Sequence, residues 1–411
     1  MKKNFFFELL FLLCTISFTS CKEERKYLSV NIIPVSSEVG NYSLLNLSDF
    51  VSDIDYIPLE TSDDALIANI HDIVYENEKI IIWDYLKPSF PEKCLLFDKN
   101  GGWITNLGNK GQGPNEYIFI QQIFADNDGI YMKVSPHFLM QYDFSGNLIG
   151  KISVPKGEKE KGQYMNFTII QPLKENIFVF DITSVKEKYP IAMLFAANDT
   201  GSTIIKEYPV EVNFNIDSRM LIRSSFENAI MYRYKDNVRL YKRIHSDTIF
   251  TIGKDLEMSD GFVFDLGKYK LPVSLYKEPM YIRTEWKNFI WIINIKESLN
   301  YLFITFDFGS YCPEPYGSTV VYGVFDKNKS KLMLMKRPKE GLLGFRNDID
   351  DGPVIWPRYI SSKNELITFI SAEDFLEHVE QMKDLSPKLS ALAKRIVTDD
   401  NPIVIVAKLK E

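Results

Sequence analysis

The chain has 411 residues, of which 45% are hydrophobic, 14% aromatic and 25% charged, and its formal net charge is −7. This composition excludes a disordered chain, a collagen-like repeat and a small disulfide scaffold, and it predicts a large apolar core. Acidic residues outnumber basic ones by 55 to 48, which leaves no surplus of cations to neutralise phosphates. We therefore expect no nucleic-acid partner.

Residues 1–20 have the features of a secretory signal peptide. Lys2 and Lys3 precede an apolar stretch over residues 5–18 that is too short to span a bilayer. Small residues then precede Cys21, a pattern that resembles the lipobox at which bacterial lipoproteins are cut and acylated. The alternative is an ordinary signal peptide that is cut elsewhere and leaves Cys21 unmodified.

The residues after Cys21 bear on location. The charged run Lys22-Glu23-Glu24 resembles the surface-export signal of Bacteroidota lipoproteins. We assign residues 21–53 to the lipidated cysteine, a tether and an N-terminal segment. The resemblance implies a membrane partner, reached through a lipid anchor in the outer membrane, and leaves the surface-exposed and periplasmic sides both open.

Short apolar runs then recur along the chain, each about as long as a strand and bounded by turn residues. Examples are Ile80-Ile81-Ile82-Trp83, Ile177-Phe178-Val179-Phe180 and Tyr301-Leu302-Phe303-Ile304. These are continuous runs and do not alternate with polar residues, which is typical of strands whose sheet is covered on both faces. Sheets that stack face to face would provide that cover.

Turn residues recur between these runs at similar intervals, which indicates a structural repeat. Asx residues followed by Gly101, Gly146 and Gly201 are typical of hairpin turns, and their spacing of 45 and 55 residues holds four short strands. Residues 54–411 then provide about 60 residues for each of six blades of a β-propeller, although the spacing alone also admits five or seven. The expected blades cover about 54–112, 113–160, 161–216, 217–267, 268–340 and 341–411.

The C-terminal region departs from this pattern. Ser371 is a predicted N-cap of one helix, and Ser386-Pro387 is the predicted start of a second. A final apolar strand covers residues 403–407. We expect it to close the ring by pairing with an N-terminal strand, so that the helices form an insertion in the last blade.

Several motifs together resemble a known family. They are Leu107-Gly108-Asn109-Lys110-Gly111-Gln112-Gly113-Pro114-Asn115-Glu116-Tyr117, the opening 54–61, and the closing motifs Asn347–Gly352, Trp356-Pro357 and Asp400-Asn401-Pro402. The chain resembles the six-bladed β-propeller lipoproteins of Bacteroidota, whose architecture is similar to that of NHL-repeat propellers. The resemblance implies an all-β fold of four-stranded antiparallel blades and a place in the cell envelope. It implies no activity, so no catalytic residue is assigned.

Two groups of residues are candidates for ligand binding. Arg283, Glu285 and Trp286, like Trp356 and Arg358, combine charge with a flat aromatic ring, which suits a sugar or a peptide. Packing in the core or structural ion pairing is the alternative for these five residues.

The second group is an acidic loop. Asp348, Asp350 and Asp351 lie close to Arg346 in sequence and are candidates for a channel mouth or a calcium site. A solvated loop is the alternative, because no glutamate follows at the spacing that an EF-hand requires.

Other candidate chemistry has weaker support. The glycine-rich stretch from Gly108 to Gly113 lacks the Lys-Ser/Thr pair of a phosphate-binding loop, and a tight turn between blades explains it better. The four histidines are scattered without ligand spacing, so we expect neither a metal nor a cofactor. Cys94 and Cys312 would be left in the mature chain, either paired with each other or free.

Two functions follow as hypotheses. The first is a non-enzymatic binding module for a glycan, a peptide or a partner protein, and the second is a lyase or hydrolase of an envelope polymer. Histidine, arginine and acidic side chains that converge from several blades would favour the enzyme. A channel lined mainly by apolar and aromatic groups would favour binding.

Overall fold

A computed structural model gives the fold of residues 31–411, apart from some intervening stretches. The stretches outside the described residues are 86–91, 136, 156–165, 184–189, 199–200, 210–228, 243–245, 273–286, 313–317, 339–341 and 383. The predicted signal peptide and Cys21 also lie outside the described part of the chain.

The chain begins with an N-terminal segment, residues 31–50. It contains β1 (Asn31–Ile33), the short helix α1 (Val35–Glu38) and β2 (Tyr42–Ser43). The next strand is β3 (Val51–Pro58).

Five four-stranded antiparallel sheets, which are blades one to five, then follow in chain order. Blade one contains β4 (Ile70–Glu76), β5 (Lys79–Asp84), β6 (Lys93–Asp98) and β7 (Trp103–Asn106), and a parallel pair, β8 (Asn109–Lys110) and β9 (Glu116–Tyr117), links it to blade two. Blade two contains β10 (Gln122–Asp126), β11 (Gly129–Ser135), β12 (Phe138–Tyr142) and β13 (Leu148–Ser153). Blade three contains β14 (Asn166–Lys174), β15 (Ile177–Thr183), β16 (Pro190–Asn198) and β17 (Gly201–Pro209). Blade four contains β18 (Ile230–Tyr234), β19 (Asn237–Tyr241), β20 (Thr248–Ile252) and β21 (Met258–Phe264). Blade five contains β22 (Trp291–Glu297), β23 (Tyr301–Asp307), β24 (Val320–Asp326) and β25 (Lys331–Met335).

The sixth blade joins the two ends of the chain. Its sheet order is β26 (Tyr359–Ile360), β27 (Glu365–Ile370), β28 (Ile403–Leu409) and β3. Because β28 pairs along its whole length with β3, the ring closes as the sequence predicted. The first strand of every blade contacts the first strands of both neighbouring blades, which confirms a six-bladed propeller around a central channel.

Two helices form the predicted insertion between β27 and β28. They are α2 (Ala372–Gln381) and α3 (Pro387–Ala393). The Ser371 hydroxyl accepts a hydrogen bond from the Asp374 N–H at 3.0 Å, which confirms the predicted N-cap. The Ser386 hydroxyl accepts one from the Leu389 N–H at 3.2 Å, and the second helix starts where it was predicted. Among the described residues, no helix combines the length and the apolar character that crossing a membrane requires.

A separate apolar core fills each of the six interfaces between neighbouring blades. Along β5, Ile80 and Ile82 pack toward blade six, whereas Ile81 and Trp83 pack toward blade two. The continuous apolar runs therefore arise because successive side chains enter two different cores. This arrangement is the face-to-face cover that the sequence predicted.

The structure corrects the expected blades in two respects. Residues 54–58 were expected to belong to the first blade, but β3, which contains them, belongs to the closing blade. In addition, β1 and β2 add fifth, parallel strands to the outer edges of blades four and five. Turn residues in a sequence indicate where two neighbouring strands form a hairpin. They do not indicate which sheet edge a distant segment joins, so the sequence could show neither the place of β3 nor the added strands β1 and β2.

Candidate functional site

One end of the central channel opens into a polar cavity of about 440 Å³. The turns that follow the inner strands of five blades surround it, because each inner strand ends at the same face of the ring. We call this cavity the polar mouth. Its lining residues are Glu76, Ala125, Asp126, Asn127, Arg233, Tyr234, Lys235, Asp236, Glu297, Ser298, Leu299, Tyr359, Ile360, Ser361, Ser362, Lys363 and Asn364.

An ion pair crosses the polar mouth. Arg233, from blade four, places Nη1 3.3 Å from Oδ2 of Asp126, from blade two. The Arg233 Nε donates to the carbonyl oxygen of Lys235 at 3.2 Å, which fixes the plane of the guanidinium. Burial raises the pKa of Asp126, and the Asp128 N–H and the Arg233 charge oppose that rise.

A second carboxylate joins blades one and six. Glu76 Oε1 accepts hydrogen bonds from the Tyr359 hydroxyl and the Ser362 N–H, both at 2.8 Å. The Ser362 hydroxyl donates to Oε2 of the same carboxylate. Burial raises the pKa of Glu76 in spite of these donors.

A third carboxylate is buried between blades four and five. The Glu297 side chain is fully buried and receives Arg239 Nε at 3.0 Å, Lys327 Nζ at 3.1 Å and the Tyr232 hydroxyl at 3.1 Å. Lys327 Nζ also lies 4.3 Å from the centroid of the Tyr234 ring, a cation–π contact. Two cations thus neutralise one carboxylate at the wall of the mouth.

Three charged residues lie on or beside the inner strands, namely Asp72 on β4, Lys296 on β22 and Arg358 just before β26. Their charges affect one another's ionisation. Burial raises the pKa of Asp72 and lowers that of Lys296, and the charge of each opposes the shift of the other.

Arg358, a predicted ligand residue, directly precedes β26, the inner strand of blade six. Its guanidinium carbon is 5.6 Å from the centroid of the Phe369 ring. Trp356 packs between blades five and six, where it stacks on Tyr322 with the ring centroids 4.1 Å apart. Arg283, Glu285 and Trp286 lie outside the described residues.

The predicted acidic loop lies at the outer edge of blade six. Asp348 accepts hydrogen bonds from the N–H and the hydroxyl of Ser48, and Asp350 accepts from the Tyr56 hydroxyl on the outermost strand. The backbone of Arg346 pairs with that of Asn46. The carbonyl oxygen of Asp351 lies 2.9 Å from Nε2 of His378. These contacts tie the loop to the N-terminal segment, β3 and α2, and the structure does not bring its acids together with Arg358.

The remaining candidates have structural contacts. The glycine-rich stretch forms the tight link between blades one and two, closed by a 2.7 Å hydrogen bond from the Gly113 N–H to Glu116. Cys94 and Cys312 are both free thiols. No group of three or more His, Cys, Asp or Glu side chains in the described part of the chain could hold a metal ion.

No local motif in the sequence marks the residues that form the polar mouth. Glu76, Asp126 and Glu297 each end the first strand of a blade, and Arg233 is the next-to-last residue of such a strand. This shared position is a signal that a blade-by-blade alignment of the turns could have shown.

Residues 30–408 match the model of the family described as Domain of unknown function (DUF4934). The chain belongs to this family. No curated protein matches its sequence.

The fold is similar to solved structures. One is a protein from Bacteroides fragilis NCTC 9343 that has been provisionally named as exported. It is 16% identical in sequence to this chain, and the two folds superpose with a TM-score of 0.67. The match covers 93% of this chain and 100% of that chain. This likeness shows a shared fold. A streptogramin B lyase has 10% identity and a TM-score of 0.35, with 87% of this chain and 98% of the other covered. A virginiamycin B lyase from Staphylococcus aureus has 9% identity and a TM-score of 0.34, with 86% and 99% covered. The likeness to the two lyases is too weak to carry an argument about function.

Proposed function

We propose that this protein is a non-enzymatic binding module of the cell envelope that holds a glycan, a peptide or a partner protein at the polar mouth. The observation that carries the proposal is the convergence of five blades on one open cavity of about 440 Å³. That volume lies within the usual range for ligand sites. A rigid ring brings these side chains together without any local sequence motif.

The chemistry of the mouth favours binding over catalysis. Arginine and acidic side chains converge there, which the sequence analysis associated with an enzyme. However, the oxygens of Glu76 and Glu297 already accept several hydrogen bonds each. A general acid or base must be able to exchange a proton with its substrate, and carboxylates held in this way act as structural links. An envelope polymer lyase or hydrolase is therefore the less favoured alternative.

We also propose that the protein is exported and anchored to the outer membrane by a lipid on Cys21. The support comes from the signal-like residues 1–20, from the small residues before Cys21 and from the resemblance to Bacteroidota lipoproteins. The provisional designation of the Bacteroides fragilis protein agrees with export. A membrane would then be one partner of the protein.

The proposed site can be tested by blocking it. Asn127 is exposed at the rim of the mouth, and Asn100 is exposed on a turn that does not line the cavity. We expect Asn127→Trp to weaken binding of any ligand found in a glycan and peptide screen by at least about tenfold, because the indole fills the opening. Asn100→Trp is the matched control and should bind as the native protein does. A ligand that binds both variants equally would place the site elsewhere.

A further inference from the structure

We propose that the polar mouth recognises an oligosaccharide that carries carboxylate groups, and that Arg233 is the central contact for the carboxylate. This inference rests on the proposed function and adds the chemistry of the ligand. It follows from which hydrogen-bonding groups of the mouth are already used and which remain for a ligand.

The acceptors of the mouth are largely occupied. Glu76 receives three hydrogen bonds, two from Ser362 and one from Tyr359. Both oxygens of Glu297 receive donors, including two bonds from Arg239 and one from Lys327. Asp126 uses one oxygen for the Asp128 N–H at 2.8 Å and the other for Arg233. A cationic ligand that approached these three carboxylates would have to break these bonds. Asp236, the fourth carboxylate of the lining, is 66% exposed and pairs with Lys254 at 2.8 Å.

Donors remain at the centre and the rim of the mouth. A guanidinium has five N–H groups, and the described partners of Arg233 are the Lys235 carbonyl and Asp126. Lys235 is exposed, and the Lys363 side chain is 60% exposed with its described partner, Glu78, outside the lining. Because a guanidinium can bind a carboxylate through two parallel hydrogen bonds, the available groups fit a carboxylate ligand.

The channel beneath the mouth adds to this preference. Lys296 on β22 and Arg358 beside β26 both influence the ionisation of Asp72 on β4, so two cations and an acid lie on or beside the inner strands in the described part of the chain. Charges at the bottom of a narrow cleft focus the field toward its opening, since the protein walls have a low dielectric constant. An anionic group at the mouth would therefore meet an attractive potential from below.

The rest of the lining favours a sugar over an acidic peptide. It is rich in hydroxyl and amide side chains, namely Ser298, Ser361, Ser362, Asn127 and Asn364. Only Ala125, Leu299 and Ile360 are apolar. Arginine also binds acidic peptides, so the charge alone does not distinguish the two ligands, and the preference for a sugar rests on these hydroxyl and amide groups. Sugar hydroxyls both donate and accept, so they match this surface.

The experiment measures binding of the mature protein to matched probes by calorimetry. The probes are an oligogalacturonate, its methyl ester, a neutral galactan of equal length and hexa-aspartate. We expect the oligogalacturonate to bind at least about tenfold more tightly than the ester or the galactan, and its affinity to fall as salt is added. Equal affinity for the oligogalacturonate and its ester, or no binding of the oligogalacturonate, would overturn the proposal.

Two variants locate the contact. Arg233→Gln should weaken oligogalacturonate binding by about 10- to 100-fold, the usual effect of losing a charged hydrogen bond. Lys408→Gln, on β28 of blade six and outside the lining of the mouth, is the control and should leave the affinity unchanged. Since Arg233→Gln also leaves Asp126 without its cation, a double variant, Lys235→Gln with Lys363→Gln, provides a second test that touches no buried pair. It should weaken binding several-fold and reduce the salt dependence.

The outcomes separate this inference from the proposed function. Binding of the neutral galactan that Asn127→Trp abolishes, without preference for the carboxylate, would keep the site and reject the charge recognition. Hexa-aspartate that binds as tightly as the oligogalacturonate and competes with it would reject the sugar. An oligogalacturonate that binds Arg233→Gln and the double variant as it binds the native protein would reject the assigned residues.

Discussion

At the scale of single residues, Glu297 has the most demanding environment of the three mouth carboxylates. Its side chain is fully buried, and its charge is balanced by Arg239 and Lys327, which are themselves mostly buried. A buried ion pair contributes little net stability when intact, but removal of one partner leaves a charge without compensation in a medium of low dielectric constant.

Replacement of this carboxylate should be costly. We expect Glu297→Ala to lower the free energy of unfolding by about 3–5 kcal/mol, because Arg239 and Lys327 would then face each other without an acid between them. Chemical denaturation of the mature protein measures this change. Lys99→Ala is the control, since both members of the Lys99–Glu78 pair are about half exposed, and it should leave the midpoint nearly unchanged. Similar effects of the two substitutions would contradict the buried network.

Residue-scale prediction from the sequence succeeded only where the chemistry is local. The two helix caps involve residues three positions apart, so their pattern is visible in the sequence. The polar mouth depends on Arg233 and Asp126, which belong to different blades and meet only when the ring is formed. Arg358 was selected because it lies near Trp356 in sequence, yet its neighbours at the channel are Asp72 and Lys296.

At the scale of elements, the N-terminal segment binds the outer rim of the propeller. β1 pairs in parallel with β21, and β2 pairs in parallel with β25. The segment also contributes buried side chains to two cores between blades, including Ile33, Val35, Leu47 and Phe50. The blade strands were predictable because each has an apolar run, whereas β1 and β2 have only three and two residues and find their partners across most of the chain.

Two adjacent isoleucines test the role of this segment. The Ile33 side chain is fully buried, whereas Ile32 is 56% exposed. We expect Ile33→Ala to lower the free energy of unfolding by about 2–5 kcal/mol, the usual cost of such a truncation in a packed core. Ile32→Ala should change it by less than about 0.5 kcal/mol. Thermal or chemical unfolding measures both, and equal effects would show that the segment does not pack on the propeller in solution.

At the scale of the whole molecule, the sequence predicted the six-bladed ring and its closure for a physical reason. Blades one to five repeat the same pattern of apolar runs and turns, so the repeat unit indicates the architecture. The residue at which the first blade begins was harder to predict, because β3 pairs with β28, which lies far later in the chain. Location depends on residues 1–24 and stays a prediction.

The proposed anchor has a direct test. We expect Cys21→Ser to move the protein from the membrane fraction to the soluble fraction after signal cleavage, because no acyl chain can be attached to serine by the same route. Fractionation and immunoblotting of the expressing cells measure this shift. Lys22→Ser is the control and should stay in the membrane fraction. A Cys21→Ser protein that still pellets with membranes after a salt wash would contradict lipid anchoring.

The pairing of early with late strands sets the order in which the chain can fold. β1 pairs with β21, β2 with β25 and β3 with β28, so these three strands find their partners only after several intervening blades have been made. Contacts between such distant residues form late and slowly. Blades one to five are built from strands that are adjacent in sequence and can form earlier, whereas closure of the ring waits for β28.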